Sequence, residues 1–249
     1  MDFLTFLNES SYRTTITQAE AIELVKKHCS HIDKDNYIIR GANNTGQYYI
    51  FEGQKGNRES RNKDSNGNYY TVMIDHFIKK TKSNLPLRSA SIICTNISNK
   101  RQAKIFGDNM YVILPYDDTI IGCVNKPDIW MTETSIGDDF GDLEQYNTLF
   151  LECNIDSSSY ESIVRDIKHI IENINDNSSS QEEFVAELFK HDVNNVEKYL
   201  SYTYDPKQLN FTAIKSNEIS KINRKCEFWI GGPCVAVLLD RWEEFLEIL

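Results

Sequence analysis

The sequence has no Cys-x-x-Cys pair, although it carries six cysteines: Cys29, Cys94, Cys123, Cys153, Cys226 and Cys234. Several lie in apolar runs, the pattern of reduced core thiols. Of its five histidines only His28 and His31 stand close together, with no second close pair to complete four ligands, so a zinc site is not expected. No stretch is long and apolar enough to cross a membrane. The N-terminus, MDFLTFLNES, has two acids and no basic region before its apolar residues, so it does not read as a signal peptide. The expected setting is therefore a cytoplasm. An excess of positive charge is also missing. The net charge of -10 gives no general steering toward phosphate backbones, although a local patch remains open. No internal repeat or coiled-coil stretch is visible.

What remains is the composition of a folded protein, with 40% hydrophobic and 26% charged residues in 249. That length suits one large domain or two small ones. Thr17 and Glu20 form a capping box that opens a helix over 18–28. NYIIRG (36–41) reads as a short strand ending in Arg40 and Gly41, and GQYYIFEGQ as a second. Residues 53–68 have a loop composition rich in side-chain donors, with Arg58, Arg61 and Asn68. A helix is expected from about Tyr70. RSASIICT (88–95) reads as a strand, MYVILPY and TIIGCV as two strands of a near-hairpin, and KRQAKIFG as a short helix.

Tyr160–Ile174 has a helical apolar stripe of Ile163, Ile167, Ile170, Ile171 and Ile174. Ser180 and Glu183 suggest a second capping box, opening a helix over 181–190. Strand signals return in EFWIGG and CVAVLL. The order of elements predicts one α+β domain over 1–249, with a mixed sheet core and a helical insertion at 131–215. The isoleucine stripe is expected to pack on the sheet core.

Three stretches carry possible chemistry. Arg40 closes a strand just before Gly41; such an arginine can fork onto a phosphate while glycine admits a ligand to the backbone. An exposed strand end with a turn glycine is the plainer alternative. If 88–95 is a strand, Ser89 and Ser91 share one face and Arg88 points to the other; paired hydroxyls can hold a ribose or order an acid. Glu227 stands between Cys226 and Phe228, just before Trp229. A carboxylate there is costly if buried without a partner. It either faces solvent or has a task, such as anchoring ribose hydroxyls and stabilising positive charge at an anomeric carbon.

YIIRG, PLRSASIICT, AKIFGDNMYVILPYDD and KCEFWI, in this order, resemble the arginine-serine-glutamate class of ADP-ribosyltransferases, which includes clostridial toxin-type enzymes and bacterial and viral effectors. The resemblance touches about half the chain, in patches. It implies an ADP-ribosyltransferase-like core that uses NAD as substrate, with Glu227 as the catalytic residue. By the same resemblance Arg40 contacts the NAD phosphates or nicotinamide ribose, Ser89 shapes the pocket and supports the glutamate, and Ser91 supports the strand. Gly41, Arg61 and Trp229 are the further candidates to line the NAD site. No metal is required.

Two departures stand out. Ala90 replaces the middle residue of the usual Ser-Thr-Ser, and Lys225 stands two residues before Glu227, where many arginine-modifying members have an acid or glutamine. The acceptor, protein or nucleic acid, is therefore left open. So are an NAD glycohydrolase and a non-enzymatic binding or host-interaction protein. For an effector, the expected location is a host cytoplasm.

Overall fold

The computed structural model describes residues 13–43, 45–52, 68–222 and 224–249. In chain order its elements begin with β1 (Arg13–Thr15), α1 (Gln18–His28), β2 (Ile38–Ala42), β3 (Tyr48–Glu52), α2 (Tyr69–Lys80), β4 (Ile92–Asn96) and α3 (Lys100–Lys104). Next come β5 (Asn109–Pro115), β6 (Ile121–Val124), β7 (Glu133–Ile136), β8 (Asp139–Asp142) and α4 (Leu143–Glu152). The chain continues through α5 (Tyr160–Asn173), α6 (Ser180–Leu188), α7 (Asn195–Tyr204), β9 (Thr212–Ile214), β10 (Glu227–Ile230), β11 (Pro233–Leu238) and α8 (Trp242–Ile248). The fold is α+β.

The chain forms two compact units. One is built from residues 84–128, 212–249 and the described part of 1–57; the other from 129–211 and the described part of 58–83. The single domain expected from sequence is thus drawn as two units, and the chain enters the second one twice.

The first unit holds a nine-stranded sheet in the order β1-β3-β11-β5-β2-β4-β10-β6-β9. Each of its pairings is antiparallel. The apparent hairpin of MYVILPY and TIIGCV does not form: β5 pairs with β2 and β11, while β6 pairs with β10 and β9. Both strands are apolar on both faces, so their hydrophobicity marks a central position but says nothing about neighbours.

Side chains alternate across a strand, and the core separates accordingly. Ile38, Ala42, Ile92, Cys94, Ile113, Cys226, Phe228 and Ile230 belong to one apolar cluster. Val112, Leu114, Val235 and Val237 belong to another, where Ala21 and Val25 of α1 and Phe245 of α8 pack. The Thr17–Glu20 capping box expected at the start of α1 is present.

In the second unit, β7 and β8 form a two-stranded hairpin, so the stretch expected to be helical from 131 contains strands before its first long helix. β9 at 212–214 belongs to the first unit's sheet, which ends the inserted segment earlier than 215. The α5 stripe is real, but its buried members are Ile163, Val164, Ile167 and Ile171, while Ile170 sits at the rim. His76 of α2 stacks on Tyr160 of α5 with ring centroids 3.6 Å apart. The second capping box falls one residue earlier than expected, at Ser179 and Glu182.

Ile167→Ala should therefore cost about 2–5 kcal/mol, the range for emptying a packed apolar site. Ile170→Ala should cost clearly less, and urea unfolding of the two variants would show the difference.

Candidate functional site

The nominated residues that can be described all belong to the first unit. Arg61 lies outside the described residues. Glu227 opens β10, an interior strand third from the β9 edge of the sheet, between β4 and β6. Its backbone is fixed from several sides. The Glu227 N–H donates to the Lys126 carbonyl at 2.9 Å. The preceding peptide is held by β4 side chains: Cys226 N–H donates to Asn96 Oδ1 at 2.7 Å, and Thr95 Oγ1 donates to the Cys226 carbonyl at 3.1 Å. Asn99 Nδ2 donates in turn to Thr95 Oγ1 at 3.2 Å.

The carboxylate is buried, and the sequence argument said that it must then have a partner. That partner is Arg88. Arg88 Nε donates to Glu227 Oε1 at 3.2 Å, and Nη2 lies 3.1 Å from the same oxygen. Trp229 Nε1 donates to it as well, at 2.6 Å. The two charged side chains retain only 11% and 5% of their exposure, so the pair is shielded from water and salt. The Arg88 guanidinium also lies 5.9 Å from the centre of the Trp229 ring, over its face. Gly122, opposite Trp229 on β6, leaves room for the indole; a Cβ there would come within 2.9 Å of its ring.

This geometry corrects the reading of RSASIICT. Residues Arg88–Ala90 form a 3-10 turn and the strand begins only at Ile92. The turn is closed by the Ser91 N–H on the Arg88 carbonyl at 3.2 Å and by Ser91 Oγ on the Leu87 carbonyl at 2.7 Å. Ser89 and Ser91 therefore do not sit as alternate residues of one strand. Ser91 is fully buried and shapes the turn, and Ser89 is half-buried within it. Arg88, expected to point away, is the side chain that reaches the glutamate. The signal that could have found it was the need of a buried Glu227 for a cation, with Arg88 standing before another apolar strand.

Arg40 is also corrected. Strand alternation groups it with Ile38 and Ala42, opposite in sense to Ile39, which lines up through Thr95 with Glu227. Arg40 and Glu227 thus start from opposite faces of the sheet. The Arg40 side chain is buried; Nη1 donates to the Ile93 carbonyl at 2.7 Å, and the guanidinium stacks on Phe106 at 5.4 Å. It braces β2 against β4 where their ladder ends, instead of presenting a fork to phosphate. Gly41 is needed for protein rather than ligand: a Cβ would meet the Ala103 carbonyl oxygen of α3 at 2.0 Å. Trp229 is fully buried and holds the carboxylate, so its ring is not offered to a nicotinamide.

Two neighbouring features complete the surroundings. Across the sheet from Glu227, the Cys226 thiol is drawn down to about 7 by a hydrogen bond with Cys123 and by Arg224, against the effect of burial. A cleft of about 450 Å³ lies elsewhere in this unit, lined by residues of the 29–37 loop, the end of β5 and the 216–220 turn. None of the nominated residues lines it. Among the described residues, no group of His, Cys, Asp and Glu is placed to hold a metal ion, and no helix is long and apolar enough to cross a membrane.

Compared with protein-family models, curated proteins and solved structures, the chain matches none.

Two measurements check this geometry. Gly41→Ala should destabilise the ligand-free protein by about 1–3 kcal/mol through overpacking against α3; unchanged thermal unfolding would return Gly41 to a ligand-facing role. Arg88→Met should cost about 3–5 kcal/mol by stranding a buried carboxylate. Adding Glu227→Gln to it should recover much of that loss, and a double-mutant cycle in urea reads the coupling.

Proposed function

We propose that the chain transfers ADP-ribose from NAD to a macromolecular acceptor, with Glu227 at the reacting centre. The observation that carries the reading is Glu227 itself, a carboxylate fixed at the head of a central strand by Arg88 and Trp229. The order of the sequence motifs adds to it. In the proposed reaction the bond between the ribose anomeric carbon and the nicotinamide nitrogen breaks. The bonding pair leaves with neutral nicotinamide, positive charge spreads over the anomeric carbon and ring oxygen, and the acceptor's nucleophile forms the new bond and gives up its proton. A carboxylate held beside that carbon stabilises the charge as it develops, and its preorganisation means that little rearrangement is needed. NAD is consumed as a substrate. The acceptor is a protein or a nucleic acid, and Lys225 two residues before Glu227 argues against an arginine side chain. Water in place of that acceptor would make the protein an NAD glycohydrolase. The proposed setting is a cytoplasm, the protein's own or a host's. The six free cysteines accord with a reducing compartment.

A second reading has its own observation. Glu227 is engaged by in-chain donors, and the 450 Å³ cleft lies away from it. Both facts favour a binding or scaffolding protein in which Arg88 and Glu227 form a structural ion pair.

Nicotinamide release by the purified protein, followed with labelled NAD, decides between them. Glu227→Gln keeps an oxygen for Arg88 and Trp229 but leaves the arginine's charge unmatched, so it should lose stability; the folded variant should still bind NAD and lose about 100- to 1,000-fold in release, the scale for removing an electrostatic contact in the transition state. Absence of turnover and of calorimetric NAD binding in the wild type would leave the ion pair structural. Label appearing on a protein or nucleic acid distinguishes transfer from hydrolysis.

A further inference from the structure

We infer that Arg88 acts as a positioning residue for the Glu227 carboxylate, the supporting part that the resemblance gave to Ser89. The inference rests on the ADP-ribosyl-transfer reading and deepens it. Arg88 stands on a short turn whose two closing bonds come from Ser91, so its backbone is fixed close to its target. From there Nε and Nη2 reach one oxygen of Glu227 together, and the Trp229 N–H reaches the same oxygen. Donors converging on a single oxygen hold that oxygen in place far better than one bond could. The flat Trp229 ring beneath the guanidinium limits Arg88 in the remaining direction. Arg40 starts from the opposite face of the sheet, where its Nη1 donates to the Ile93 carbonyl.

A carboxylate that must lie beside an anomeric carbon in the transition state gains from being held in place beforehand. Arg88 acts through Glu227, so its loss should reduce the rate of bond cleavage more than the affinity for NAD. Lysine keeps the charge but lacks the planar fork. It should therefore restore part of the rate that an uncharged residue loses.

The test compares wild type with Arg88→Lys, Arg88→Gln and Arg88→Ala, measuring kcat and KM for nicotinamide release. Positioning predicts a loss of kcat of about 10- to 100-fold in Arg88→Gln, with KM changed by less than about threefold. Arg88→Lys should fall between it and wild type. Guanidinium ion, added to Arg88→Ala below any concentration that unfolds the wild type, should restore part of kcat without changing KM; a merely structural role would not respond in this way. Arg88→Lys and the guanidinium titration keep the test decisive if Arg88→Gln fails to fold. Wild-type kcat in a folded Arg88→Gln overturns the inference and leaves the transfer reading standing. Turnover above wild type overturns it in a different way, by showing that Arg88 restrains Glu227 as a latch. No turnover by the wild type overturns the transfer reading and this inference with it.

Discussion

A carboxylate enters the interior of an antiparallel sheet at Glu227, and the surrounding structure answers its need for a cation. Burying an ionised group without compensation costs several kcal/mol, a large share of the stability of a typical domain. The compensation requires Arg88 to arrive from the right direction, which the 3-10 turn at 88–90 provides. It requires an indole donor with room for its ring, supplied by Trp229 and Gly122. It also requires the start of β10 to be immobile, and Thr95, Asn96 and Asn99 hold the peptide before Glu227 in place. Side chains from β4, the turn before it and β10 therefore form one hydrogen-bonded network around a single oxygen atom and the strand that carries it.

What the sequence disclosed followed the range of the forces involved. The first helix and its capping box are set by residues three positions apart, Thr17 and Glu20, and were readable. So was the amphipathic α5, whose period reports its own geometry. Sheet order was not. Strands buried on both faces, such as β5 and β6, carry no alternation that would name a partner, and their closeness in sequence suggested a hairpin that the longer-range pairings replaced. The α+β class survived because it depends on which elements exist. The division into two units is not written in the order of elements, since the second unit takes its residues from two separate stretches, 129–211 and the described part of 58–83.

At the site, Glu227 was singled out correctly as a residue needing a reason, because the cost of an unpaired buried charge can be argued without coordinates. Its partner is not legible in the same way, because RSAS precedes an apolar run and has the look of strand. One local change from strand to turn redirects Arg88 toward the glutamate and takes Ser89 and Ser91 out of a shared row. Gly41 shows a similar limit. A glycine after an arginine announces that something comes close to the backbone, but not what. Here it is the carbonyl of Ala103. Arg40 followed the same course, from a supposed phosphate ligand to a brace between strands.

Stability alone gives a weak reason for such a pair. Apolar side chains of similar volume in place of a buried ion pair are often neutral or stabilising, while removal of one partner is severe. A sheet face that already carries buried Ile39, Ile93 and Val124 would accept an aliphatic pair more easily than Arg88 with Glu227. What the ion pair has that an aliphatic pair lacks is a fixed negative charge on a strand paired on both sides. A transition state that gains positive charge as a glycosidic bond opens can use that property. The structural reading must instead explain why charge was placed where hydrocarbon would serve.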